Sequence, residues 1–267
     1  MALRGRPPAA FTDVSRVEPE REEGGHGVPP LQSDDTLMTK PLIIAIDGPS
    51  ASGKSTLGRM LARALNLLYI DTGSMYRAVA LAVMESSVSA SDDIAVGSLA
   101  SRVDIDLEGD PDSLKVILEG RDVTDEIRTE EVTGMSSVIS TIPAVRRAMV
   151  ARQREMGKRG AVLNGRDIGT VVFPDADVKI FLTAAPDERA RRRFTEESDQ
   201  NTDVSFEDTF AEMIERDRRD STRADSPLTV AEDAIVIDSS GLSIDEVFEK
   251  MMATIEKKSG GKPPFPT

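Results

Sequence analysis

The chain contains no cysteine and no tryptophan, and its single histidine is His26. The first absence excludes disulfides and thiolate zinc sites. The lone histidine leaves little room for histidine-based catalysis, because His26 falls in a stretch without apolar periodicity. No apolar run approaches the about 20 residues of a membrane span. Nor does the N-terminal stretch hold the continuous apolar core of a signal peptide. A soluble, cytoplasmic protein that meets no membrane is expected. Positive charge is also in short supply: 33 Lys and Arg stand against 47 Asp and Glu, for a net charge of −14. That balance argues against broad nucleic-acid binding. It still permits a small anion held by a local arginine cluster.

The most informative stretch runs from Ile43 to Thr56. The β-branched run Ile43-Ile44-Ala45-Ile46 reads as a buried parallel strand. Gly48-Pro49-Ser50-Ala51-Ser52-Gly53-Lys54-Ser55 then matches G-x-x-x-x-G-K-[ST] at every fixed position. In such a loop, backbone N–H groups cradle phosphate. Lys54 reaches the outer phosphates, and the Ser55 hydroxyl is placed for Mg²⁺. Thr56 to Ala64 has helical spacing, so the phosphates lie at a helix N-terminus. A nucleoside triphosphate such as ATP is the implied ligand.

Around this loop the chain reads as α/β. Residues 1–38 carry Pro7-Pro8, Gly24-Gly25 and Pro29-Pro30 and are expected to be disordered, with Met38 as a possible alternative start. Leu67–Ile70 is a second strand, followed by a helix capped by Asp71 or Thr72. This places Thr72, Tyr76 and Arg77 near strand carboxyl ends, where open α/β sheets bind ligands. From about 87 to 142 the rhythm breaks. Val103–Leu107 and Leu114–Leu118 alternate like half-exposed strands, with Glu119–Asp122 as the following turn. Pro143 opens a helix, and Ala161–Leu163 is a buried strand ending in Asn164-Gly165-Arg166-Asp167. Val178–Leu182 is the next strand, and Pro186 opens a helix rich in arginine. Glu196 to Val204 reads as a mobile, turn-rich lid, within a lid segment of about 192–215. A helix then presents Phe206, Phe210, Met213 and Ile214 on one face and leads to Arg216, Asp220 and Arg223. Ala234–Asp238 is the last strand, Ser243 and Glu246 box the final helix, and 259–267 is a flexible tail.

Arg77, Arg166, Arg192, Arg216 and Arg223 come from separate segments. Phosphoryl transfer between two anions needs such a set, because guanidinium forks neutralise and align phosphates that otherwise repel. No general base stands out. Positioning and charge stabilisation carry most of this chemistry, so none is required.

Five stretches, GPSASGKST, DTGSMYRAVAL, LEGRDVTDEIRT, NGRDIGTVVFPDADVKIFL and RDRRDSTRADSPL, occur in order across about residues 41–257. In these the chain resembles the bacterial-type cytidylate kinases, a branch of the nucleoside monophosphate kinases. The resemblance implies a three-layer α/β/α fold of the P-loop NTPase type with a parallel sheet, spanning 39–258. It also implies an inserted acceptor-binding domain and a short lid. The implied reaction moves the γ-phosphoryl group of ATP to CMP or dCMP with Mg²⁺. The resemblance assigns acceptor phosphate to Arg77, Arg166, Arg216 and Arg223. It assigns the cytosine edge to Ser137, Arg146 and Asp167, the sugar hydroxyls to Asp220, and ATP to Arg192. Cytosine chemistry agrees: its N4 amino group donates, which suits Asp167, while N3 and O2 accept, which suits Arg146 and Ser137. A kinase for UMP or another small acceptor, or an ATP-dependent switch that transfers nothing, are the competing readings. No extended apolar stripe remains beyond the core, so a monomer is expected.

Overall fold

The computed structural model describes residues 41–198 and 205–258. The expectations for residues 1–38, for Met38, for the middle of the lid and for the tail therefore lie outside the described residues.

β1 (Ile43–Asp47) is followed by α1 (Lys54–Ala64), β2 (Leu68–Asp71) and α2 (Thr72–Glu85). Later come α5 (Pro143–Gly157), β6 (Ala161–Gly165), β7 (Val178–Thr183), α6 (Pro186–Ser198), α7 (Phe206–Thr222), β8 (Ile235–Asp238) and α8 (Ile244–Lys258). The five strands form one sheet in the order β2-β6-β1-β7-β8, and every pairing is parallel. β1 is central and buried on both faces, which is why its sequence is a continuous apolar run.

Side-chain alternation divides the core into two layers. Ala45, Ile70, Ala161 and Leu163 point to one face, where they meet Met75, Val79, Val145 and Met149 of α2 and α5. Ile44, Ile46, Tyr69 and Val162 point to the other, against Leu57 and Leu61 of α1 and Val247, Met251 and Ile255 of α8. A three-layer α/β/α sandwich results. Its helix ends are closed by the expected residues. The Asp71 carboxylate accepts from Ser74 N at the start of α2, and Ser243 and Glu246 bond reciprocally before α8.

Between α2 and α5 lie α3 (Asp93–Arg102), β3 (Ile105–Glu108), β4 (Lys115–Leu118), β5 (Arg121–Asp122) and α4 (Glu130–Ile139). The strands make a separate antiparallel sheet, β3-β4-β5. The expected turn at Glu119–Asp122 is shorter than the sequence suggests. Glu119 and Gly120 alone take positive φ, 50° and 76°, and this two-residue hairpin turn lets Arg121 and Asp122 pair back onto β4. The lid also differs from expectation: α6 continues as helix to Ser198, so Glu196 lies on a helix rather than in a turn. On α7, Met213 is buried as expected, whereas Ile214 is exposed.

Candidate active site

The phosphate loop sits at the carboxyl end of β1. Gly48 is obligatory there, because a Cβ would lie 2.0 Å from the Leu182 carbonyl oxygen of the neighbouring strand. Gly53, left-handed at φ 91°, caps α1 and turns the free N–H groups of that helix into the cleft. The Ser52 hydroxyl donates to Pro49 O at 3.1 Å. The Lys54 ammonium lies back along the loop, donating to Pro49 O and, at 3.1 Å, to Ser52 Oγ. Burial and the neighbouring Arg166 push the Lys54 pKa well below its usual value, against the pull of Asp217 and Asp47. The charge on Lys54 is thus short of counter-charge, which a phosphate would supply.

β6 brings the second wall, because its pairing with β1 sets Asn164 beside Ile46 and Gly165 beside Asp47. Asn164 Nδ2 donates to Ser55 Oγ at 3.1 Å, while its Oδ1 is buried without a protein partner. The Thr72 hydroxyl donates to Asn164 O at 2.8 Å and ties the start of α2 to the same strand end. Asp47 is taken up elsewhere: its carboxylate accepts from Ile168 N at 2.8 Å and Gly169 N at 2.7 Å. These bonds anchor the turn after β6.

Opposite the loop, Arg77, Arg166, Arg193, Arg216 and Arg223 line one cleft of about 380 Å³ together with Ser50–Thr56. Arg166 Nε donates to Asp220 Oδ2 at 2.7 Å, and Arg223 Nη1 lies 3.6 Å from Asp220 Oδ1. Burial opposes ionisation of Asp220, but Arg166, Arg216 and Arg223 outweigh it and hold the carboxyl below the usual range. Arg216 has no such carboxylate to itself. Burial and repulsion from Arg166 push its pKa down to about 10. The Nε atoms of Arg77 and Arg216 are buried without partners. An excess of desolvated cation with unspent donors is what a polyanion site requires.

Deeper along the cleft, Asp167 bridges two arginines. Arg146 Nη2 donates to one carboxylate oxygen, and Arg223 Nη2 stands 3.7 Å from the other. Asp167 therefore does not cap the turn that follows it, which has no side-chain cap. Arg146 is 2% exposed and lies over the Tyr76 ring at 5.6 Å, a cation–π contact that fixes its plane. Tyr76 Oη and Arg146 Nε are buried and unpaired. A flat apolar face flanked by a fixed carboxylate and guanidinium suits a planar base with its own donors and acceptors. A second cavity, about 610 Å³, lies between α1 and the β3-β4-β5 insertion and shares Asp71 and Arg77 as its wall. It lacks the phosphate loop, so the smaller cleft is the candidate site.

Of the residues expected from sequence, Ser50 to Thr56, Thr72, Tyr76, Arg77, Arg146, Arg166, Asp167, Arg216, Asp220 and Arg223 all line this cleft. Gly48 and Pro49 hold the loop's shape rather than lining it. Ser137 is buried on α4 with an unpaired hydroxyl, but Thr133, Ser136 and Ser140 are the α4 residues that line the cleft. Arg192 is a correction. Its guanidinium pairs with Glu188 and donates to the Ser239 hydroxyl and carbonyl oxygen, each at 3.0 Å, so it is committed to the β8–α8 corner. Helix phase puts the next residue, Arg193, on the cleft wall, where its guanidinium pairs with Glu197 at 2.6 Å. Asn164, Arg189 and Asp217 were missed. Asn164 was discoverable as the last residue before the Gly165-Arg166-Asp167 turn, at a strand's carboxyl end.

A parallel sheet with a phosphate loop after its central strand, facing an arginine-lined pocket, defines a P-loop phosphotransferase that draws on a nucleoside triphosphate. The comparison with known families is more specific. The cytidylate kinase family model matches residues 44–257, and the chain belongs to that family. It is 52% identical over 222 residues to the cytidylate kinase of Desulforamulus reducens, covering 82% of this chain and 99% of that one. It is 45% identical over 223 residues to the cytidylate kinase of Bacillus subtilis, covering 83% and 100%. The chain is thus a nucleoside monophosphate kinase with ATP as co-substrate.

Proposed function

We propose that the cleft holds ATP on the phosphate loop and CMP or dCMP against Arg146, Asp167 and Tyr76, with the two phosphate chains meeting between them. The γ-phosphoryl group passes to the acceptor phosphate, giving CDP or dCDP and ADP. The observation that carries this reading is the set Arg77, Arg166, Arg216 and Arg223, gathered across the cleft from Lys54. A protein that only bound ATP would have no use for a second cation cluster there.

Roles follow from position. Backbone N–H groups of the loop and the α1 N-terminus receive the β-phosphate, and Lys54 leaves Pro49 O to follow the transferring group. Arg77, Arg166, Arg216 and Arg223 clamp the acceptor phosphate, whose oxygen is already nucleophilic. Asp220, fixed by Arg166, is placed for a sugar hydroxyl. Asp167 accepts from the cytosine amino group with the lone pairs its two arginines leave free. Arg193, on the lid-side helix α6, adds positive charge over the donor phosphates. Mg²⁺ fits as a hard cation bound chiefly by phosphate and water oxygens, with the Ser55 hydroxyl as the protein ligand. Among the described residues no cluster of three or more acidic or histidine side chains offers a rival cage.

On this reading the protein is a monomer working in the cytoplasm on small nucleotides, and the net charge of −14 argues against broad nucleic-acid binding. No helix among the described residues is long and apolar enough to cross a membrane. ADP release measured with CMP, dCMP, UMP and AMP tests the whole reading. CMP and dCMP should be strongly preferred. Equal use of UMP would remove base recognition from Asp167, and ATP binding without ADP release would favour a switch.

A further inference from the structure

One carboxylate on α7 turns away from the nucleotide side and grips the phosphate loop. Asp217 Oδ1 accepts from Ser50 N at 3.0 Å, and Oδ2 accepts from Arg189 Nη1. The same Arg189 nitrogen donates to Ser50 O at 3.0 Å, and Arg189 Nε donates to Ala184 O at 3.1 Å. Ser50 is thus held by both its N–H and its carbonyl, in a closed ring of loop, α6 and α7. Arg189 is 5% exposed, and its bonds to Ser50 and Asp217 are part-buried and charge-assisted. Ala51, the next residue, has φ 55°, a left-handed value uncommon for a non-glycine residue. The ring grips the loop at the residue before this bend.

On α7, Asp217 stands between Arg216 and Asp220, which line the cleft. We propose that Asp217 and Arg189 are positioning residues that couple the two nucleotide sites. Acceptor phosphate and sugar, by pulling on Arg216 and Asp220, fix the last turns of α7. Through the Asp217–Arg189–Ser50 ring, that turn of helix sets the phosphate loop in its donor-binding shape. Binding of the acceptor then tightens binding of the donor, and by linkage the reverse holds to the same factor. The inference rests on the acceptor site proposed above.

The test measures Kd for a non-hydrolysable ATP analogue with and without saturating CMP, by calorimetry on the full chain. The wild-type protein should show tightening of at least about fivefold, at the lower end of usual site-to-site couplings. Asp217→Ala should bring that factor to about one, with Kd for CMP alone changed less than about twofold. Asp217→Asn can still accept from Ser50 N but presents an amide to Arg189, so its coupling should be intermediate. Arg189→Gln should match it, and circular dichroism checks that each variant is folded. A purely structural role would lower the melting temperature and weaken both ligands alone while leaving their ratio intact, and would overturn the proposal. Wild-type protein that binds both ligands independently would also overturn it. Wild-type protein that does not bind CMP would instead defeat the acceptor-site reading itself.

Discussion

Arg166 Nε and Asp220 Oδ2 are 2.7 Å apart, and this part-buried pair joins the end of β6 to the last turns of α7. Neither residue is spent by it. Asp220 stays ionised because three arginines surround it, and the second oxygen of its carboxylate still faces Arg223 at 3.6 Å. Arg166 keeps N–H groups for an anion. The pair therefore fixes the directions of two cleft-lining groups at once.

Lys54→Ala removes the one ammonium that can follow the transferring phosphoryl group. Turnover should fall by at least about 10²–10³-fold, the scale of losing a transition-state donor. The melting temperature should hardly move, because the loop keeps the Ser52–Pro49 bond. Steady-state kinetics with CMP and a thermal melt check both halves. Activity near that of the wild type would take Lys54 out of the mechanism.

Asp167→Asn should lower kcat/KM for CMP by about 10- to 150-fold, the range for losing a hydrogen bond to a charged group. The new amide can donate to the O4 of uracil, so the preference for CMP over UMP should narrow from both sides. Arg146 and Arg223 also lose part of their counter-charge, so affinity for CMP should fall more than affinity for ATP. An unchanged base preference would relocate base reading to another residue.

Arg192 and Arg193 are adjacent but face different surroundings. Arg193→Ala should lower kcat by on the order of tenfold or more, as a lost charge-assisted contact to the transferring group predicts. Arg192→Ala should leave kcat nearly intact and lower stability by about 1 kcal/mol, since it loses a partly exposed ion pair and its bonds to Ser239. Parallel assays and denaturant titrations decide this. The reverse pattern would restore Arg192 to the site.

Asp47 predicts a pH effect on stability. Burial pushes its pKa from 3.8 up to about 6, although the Gly169 and Ile168 N–H groups oppose the rise. A raised folded-state pKa contributes stability that is full below 3.8 and lost as pH climbs through about 6. At 1.36 kcal/mol per unit the loss is about 3 kcal/mol. Asp47→Asn cannot titrate. It leaves one N–H without an acceptor and so should be less stable overall, but its unfolding free energy should be flatter between about pH 4 and 7. Equal slopes for the two proteins would mean that Asp47 is ionised throughout.

The sequence by itself determined the phosphate loop, the alternation of strand and helix, and the family. Each of these is written locally. Gly48 is dictated by a contact too close for a Cβ, the β1 run by burial on both faces, and the α8 start by a box spanning Ser243 to Glu246. The same locality explains why Arg77, Arg166, Arg216 and Arg223, which line one cleft, could be singled out from their motifs. Tertiary structure alone decided what each charged side chain meets. Arg192 and Arg193 are indistinguishable in a run of arginines until the packing of α6 against Ser239 sets the phase. Asp167 is a plausible helix cap until Arg146, 21 positions earlier, arrives over Tyr76 to claim it. Asp217 is one acid in a charged helix until Ser50 is brought from 167 positions away. A charge acts over a few ångströms through whatever surrounds it, and those surroundings are assembled only when distant segments pack.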